Sequence, residues 1–189
     1  MKLKRDFYAR NTELVAKQLL GKILACKTSK GICKGKIVET EAYFGSKDPA
    51  SHAWKITPRS KIMLGKPGTA YVYFTYGNHF MFNAVTEKLG KPGAVLIRAI
   101  EPIKGIKLMQ KRRGIKEIKK LCSGPGKLTK SLGITKSQNG LDLTKSSLYI
   151  ETGQKESFQI VRTKRIGIKR GKEKLLRFYI KGNEFVSKR

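Results

Sequence analysis

The stretch Lys34-Gly35-Lys36-Ile37-Val38-Glu39-Thr40-Glu41-Ala42-Tyr43-Phe44 is rich in β-branched and aromatic residues and is bounded by glycines. Read as a strand, its period of two places Val38, Ala42 and Phe44 on one face. Ile37, Glu39, Glu41 and Tyr43 share the other. The chain has only 13 Asp and Glu against 42 Lys and Arg, so two acids beside an aromatic ring suggest a site that holds negative charge. Pairing of both acids with nearby Lys or Arg is the plainer alternative, and spacing alone does not choose between them.

On the amino-terminal side lies another strand-like run, GKILACKTSKG at 21–31, preceded by a helix. That helix is expected from a cap at Asn11 to a stop at Gly21, with Leu14, Val15 and Leu19 facing inward. On the other side, GTAYVYFTYGNHFMFNAV at 68–85 is two aromatic runs around Gly77-Asn78, a hairpin signal that puts Tyr76 at or beside an exposed tip. Phe74, Phe80 and Phe82 read as core residues, whereas a rigid tyrosine at the tip of a basic protein can wedge between stacked bases. GAVLIRAIEP at 93–102 holds Arg98 inside an apolar strand, where a buried arginine needs a carboxylate partner. From Lys104 to Lys130 the texture turns helical and basic, and LRFYIKG at 176–182 alternates again. No repeat and no linker divides the 189 residues. The expectation is one domain over 1–189, mixed α/β of the α+β kind, with a curved, mainly antiparallel sheet and packed helices.

The formal charge of +29 repels itself in a compact chain, and a polyanionic partner is the usual reason to keep it. A generally basic, solvated surface is the bland alternative. No basic amphipathic helix with a bulky apolar face argues for a membrane. Cys26, Cys33 and Cys122 are few, odd in number and without metal-ligand spacing, so they read as reduced core residues. Without an export signal or a membrane-length apolar run, a cytoplasmic location is expected, nucleoid-associated if the source is bacterial.

Taken in order, VETEAY (38–43), a histidine followed by TPR (His52, 57–59), MLGKPGTAYVYFTYG (63–77), VLIRAIEP (95–102), LCSGPGKL (121–128) and LRFYIKG (176–182) resemble the 3-methyladenine, or alkyladenine, DNA glycosylase family. The match runs from about residue 6 to residue 187. It implies a DNA-inserting, protruding β-hairpin on a single-domain fold, and a monofunctional hydrolase that leaves an abasic site at alkylated purines and often hypoxanthine. Double-stranded DNA with damaged purines is the implied partner, a monomer the implied state, and neither metal nor organic cofactor is implied. By motif, Glu41 is similar to the general base that activates water and Arg98 to the residue that fixes it. Ile166 in RIGI would lend a backbone carbonyl to the same water. Tyr43 corresponds to the stacking residue on one face of the flipped base, His52 and Tyr73 to those closing the other, and Asn83 to the side chain that excludes guanine's amino group. Tyr76 corresponds to the intercalating plug, and Thr57, Arg59, Lys127 and Lys136 fall in blocks that touch phosphates. Lys127 also reads as ordinary solvated charge. Asn78 stands where the pattern has a bulky apolar residue, and the stretch from His52 to Thr57 is shorter than in vertebrate members.

Chemistry points the same way. A base cannot be reached inside the stack, so it must be extruded, walled by rings and replaced by a plug. Hydrolysis passes through an oxocarbenium-like sugar that a carboxylate can stabilise while taking a proton from water. An alkylated purine is cationic and leaves readily. Hypoxanthine is neutral and needs a proton, for which Glu39 is badly placed and His52 or solvent is expected. Two rival readings are a non-catalytic nucleic-acid-binding protein, ribosomal or nucleoid in character, and a binding module related to domains of tRNA-acting enzymes. Glu41 with Arg98 separates them, since a pure binder gains nothing from a carboxylate facing phosphate.

Overall fold

From the amino terminus, a computed structural model that describes residues 1–75 and 77–188 begins with α1 (Arg5–Tyr8) and α2 (Thr12–Leu19). β1 (Ile23–Thr28), β2 (Gly31–Tyr43), β3 (Ala70–Thr75), β4 (His79–Val85) and β5 (Ala94–Lys104) follow. Then come α3 (Ile106–Arg113), α4 (Ile118–Leu121) and α5 (Pro125–Leu132), and last β6 (Leu148–Glu151), β7 (Ile160–Thr163) and β8 (Arg177–Ile180). The Asn11 side chain caps α2 by accepting from the Glu13 and Leu14 amides, as the sequence suggested. Thr12, Val15, Ala16 and Leu19 form its buried stripe, a spacing of three and four that leaves Leu14 off the stripe and 42% exposed. The inward assignment of Leu14 is therefore wrong.

The strands build one curled antiparallel sheet in the order β3-β4-β5-β2-β1-β6, with β8 also on β2 and β7 on β8. This bears out the mixed α/β fold with a curved antiparallel sheet. β2 is its axis. One edge pairs with β5; the other pairs with β1 from Gly31 to Lys36 and with β8 from Glu39 to Glu41. Every residue from Ile37 to Ala42 is buried. α2 covers one face, where Thr40 Oγ1 donates to the Ala16 carbonyl at 2.9 Å. Register shifts against β5 on either side of Glu39 break the simple alternation, and Ile37 and Val38 both join the main apolar cluster. Glu39 and Glu41 keep a common face; Ile37 does not belong with them.

β3 and β4 pair from Ala70–Ala84 to Thr75–His79, with Gly77 at φ +70 in the turn. Tyr76 lies outside the described residues. Phe82 is fully buried, but Phe74 is 51% exposed because cover fades toward the end of β3; its ring lies 5.0 Å from that of Phe80. Phe74 is thus not the core residue expected. α5 reaches β4 closely at Gly126, where an added Cβ would lie 2.7 Å from the His79 ring. Thr129 fixes that approach by donating to the Phe80 carbonyl at 2.8 Å. Cys26, Cys33 and Cys122 are buried and free.

Candidate active site

Two carboxylates and two arginines meet out of solvent where β5 and β8 flank β2. Glu39 and Glu41 have no exposed surface, and Arg98 and Arg177 are buried. Arg98 sits at the residue that β5 inserts opposite the Glu39–Thr40 step, and it bridges the acids. Its Nε donates to Glu39 Oε1 at 3.0 Å and its Nη1 to Glu41 Oε2 at 3.2 Å. Buried charges are tolerated only when paired and hydrogen-bonded. Glu39 meets that condition fully: Arg177 Nε and Ser187 Oγ donate to Oε1 at 2.7 and 2.9 Å, and the Ser187 amide donates to Oε2 at 2.7 Å. For Glu39 the plain pairing explanation is sufficient.

Glu41 is held differently. Tyr43 Oη donates to Oε2 at 2.8 Å, and the Ile166 amide donates to Oε1 at 2.7 Å. All three donors, Tyr43, Arg98 and Ile166, line a cavity of about 600 Å3, with the carboxylate just beneath its surface. A carboxylate oxygen can accept at least two hydrogen bonds, and among the described residues Glu41 Oε1 accepts one, which leaves it an acceptor position. Burial, and then the Glu41 charge, push the Tyr43 phenol well above its ordinary value, so it remains a donor. Burial opposes the Arg98 charge, but Glu41 and Glu39 outweigh it and hold the guanidinium above its usual value. The motif assigned Ile166 a carbonyl directed at water; the contact found is its N–H on the carboxylate.

Aromatic side chains line the same cavity. His52 and Tyr73 meet edge to face at 4.6 Å, and Tyr71 lies 5.2 Å from Tyr73. His52 Nδ1 and Tyr71 Oη share a hydrogen bond of 2.8 Å. Lost solvation among these rings, and then the Arg59 cation, lower the imidazole to about 4. Both causes favour the neutral imidazole over the imidazolium. Arg59 itself stacks over Tyr73 at 4.5 Å. Asn83 is buried in the wall, its Nδ2 donating to the Tyr71 carbonyl at 3.2 Å. A buried carboxylate under a ring-lined cavity, in a chain of charge +29, suits an anionic polymer presenting a flat base. The model of a family described as methylpurine-DNA glycosylase matches residues 6–184.

The chain belongs to that family.

It is similar to a protein of Carboxydothermus hydrogenoformans, 50% identical with both chains fully covered. A Prosthecochloris aestuarii protein is 50% identical over 97% of this chain and 90% of its own, and one from Clostridium acetobutylicum is 48% identical over 99% and 98%. All three are provisionally named 3-methyladenine DNA glycosylases. The chain is accordingly a DNA glycosylase, a hydrolase acting in DNA repair. Among the described residues no helix is long and apolar enough to cross a membrane.

The glycosylase brings Glu41, Arg98, Ile166, Tyr43, His52, Tyr73 and Asn83 to one place, all but Glu41 on the cavity surface itself. Thr57, Arg59, Lys127 and Lys136 are exposed, with Pro125, two residues before Lys127, on the cavity rim. Sequence reading passed over Asp48 and Arg165. Their side chains have no exposed surface and form a forked ion pair, Nη1 to Oδ2 at 2.6 Å and Nη2 to Oδ1 at 2.7 Å. Burial pushes the Asp48 carboxyl up, but Arg165 and the Phe44 and Ala50 amides outweigh it and leave it below its usual range. The signal was present in RIGI: an arginine beside Ile166 in a chain with few acids. Tyr71, which orients His52, was hidden by its place in an aromatic strand.

Proposed function

We propose that the glycosylase turns an alkylated purine nucleotide of duplex DNA into this cavity and hydrolyses its N-glycosidic bond, with Glu41 as the general base. The observation that carries this reading is the contrast within one strand: a fully buried carboxylate whose donors all face a ring-lined cavity. The spare acceptor position on Oε1 suits a water molecule, and the negative charge suits the oxocarbenium-like sugar that forms as the base departs. Tyr43, His52 and Tyr73 offer stacking surfaces for a flat base, and Asn83, fixed by the Tyr71 carbonyl, stands ready to clash with guanine's exocyclic amino group. Arg98 fixes the carboxylate, and the Ile166 carbonyl would assist the water.

Thr57, Arg59, Lys127 and Lys136 would hold phosphates around the mouth, and Tyr76 would fill the gap left by the extruded nucleotide. The substrates proposed are 3-methyladenine and 7-methylguanine, whose positive charge makes them good leaving groups, with hypoxanthine as a slower neutral substrate. A monomer in the cytoplasm, gathered on the nucleoid, fits the charge. The test is release of free base from a panel of duplexes, each with one lesion. Release of methylated purines with an abasic site left behind supports the reading; binding without release of any base overturns it.

A further inference from the structure

We propose that the buried Asp48–Arg165 pair is a positioning device that couples the base-stacking ring to the carboxylate, so that Glu41 is oriented only while Tyr43 is in place. The inference rests on the roles proposed above for Glu41 and Tyr43. The Arg165 side chain is sealed from solvent and does not line the cavity. Its guanidinium lies over the Tyr43 ring, 4.7 Å from the centroid, which leaves the other ring face for the cavity. Nη1 also donates to the Ala42 carbonyl at 2.9 Å, fixing Arg165 to the strand between Glu41 and Tyr43. Asp48, the other half, accepts from the Phe44 amide at 3.0 Å and the Ala50 amide at 3.3 Å, which ties down the loop leaving β2.

Arg165 is the residue before Ile166. Anchoring its side chain to Ala42 and Asp48 therefore sets where the Ile166 amide falls, 2.7 Å from Glu41 Oε1. Two of the three donors to Glu41 thus depend on Arg165: Ile166 through the backbone and Tyr43 through the stacked ring, whose hydroxyl reaches Oε2 at 2.8 Å. Among the described residues only Arg98 holds the carboxylate independently. A buried ion pair is a weak source of stability, since apolar residues of similar volume often serve as well. Here one donor, Arg165 Nε, has no hydrogen-bond partner among the described residues, a further cost. What the pair supplies that an apolar filler cannot is direction: a forked guanidinium with fixed angles to a carboxylate, a carbonyl and a ring.

The test uses Asp48→Asn and Arg165→Lys in the whole protein. Each removes the fork while keeping size or charge. Single-turnover release of 7-methylguanine is measured per DNA-binding-competent molecule, with affinity for the lesion duplex and thermal melting alongside. Among the described residues, the charged and polar groups facing Glu41 include Arg98, Tyr43, Arg165 and the Ile166 amide. Loss of the Ile166 and Tyr43 donors leaves the carboxylate misdirected, so in both variants the loss should fall on the rate more than on affinity for the lesion duplex. The maximal rate should fall roughly 10- to 100-fold, the size expected for a misplacement of about an ångström. Affinity for undamaged DNA should stay as in the unaltered protein. Variants that melt earlier yet keep the rate per competent molecule would overturn the coupling and leave a structural pair. Failure of both to fold would do the same. No release by the unaltered protein would overturn the functional reading, and the coupling with it.

Discussion

Glu39 and Glu41 sit two residues apart on one face of β2, share Arg98 and are equally sealed from solvent, yet the two ends of the strand treat them differently. At Glu39 the strand is closed by Arg177 of β8 and by Ser187 near the carboxyl terminus, none of which faces the cavity. At Glu41 the enclosing groups are Tyr43, Arg98 and Ile166, and each of them does. Burial and ion pairing therefore do not mark a reactive carboxylate. What marks it is the exposure of the groups that hold it.

Arg98 is the shared point, so its loss should break both ends at once. Arg98→Ala leaves two buried carboxylates short of a cation and should cost about 3–5 kcal/mol of stability, with excision lost as well. Denaturant unfolding and single-turnover excision check this, and a variant that loses activity while unfolding at the normal midpoint would mean that Glu39 does not rely on Arg98. A smaller effect concerns the cavity wall alone. His52 stays neutral until the pH falls to about 4, so its protonation does not contribute to a limb between about pH 5 and 8. His52→Phe should weaken lesion binding a few-fold through lost contacts while the shape of the excision profile over that range is kept. A limb near the ordinary histidine value that vanishes in the variant would reassign His52 to proton transfer.

Much of this was legible in the sequence because it depends on local chemistry. Asn11 is a helix cap wherever it precedes such a stretch, and Gly77-Asn78 turns a hairpin. Glu41, Tyr43, His52, Tyr73, Asn83, Arg98 and Ile166 come together at the cavity because strand alternation keeps Glu41 with Tyr43 and neighbouring elements do the rest. The misses share a physical cause, which is that they depend on partners distant in the chain. Leu14 lies off a stripe set by what α2 packs against, and Phe74 emerges because cover ends before its strand does. The register shifts around Glu39 arise from pairing with β5 and are invisible in β2 alone. Asp48 and Arg165 are 117 residues apart, so neither announces the other.

The comparison is tested most directly by making the same change at both ends of the strand, Glu39→Gln and Glu41→Gln, and measuring single-turnover excision of 7-methylguanine per DNA-binding-competent molecule. Glu41→Gln should lower the rate about 10²- to 10⁴-fold, the usual contribution of a general base, while binding of the lesion duplex is kept. Glu39→Gln should lose stability but keep the rate within a few-fold. Near-normal cleavage by Glu41→Gln, or equal losses at the two positions, would contradict the assignment of the chemistry to Glu41.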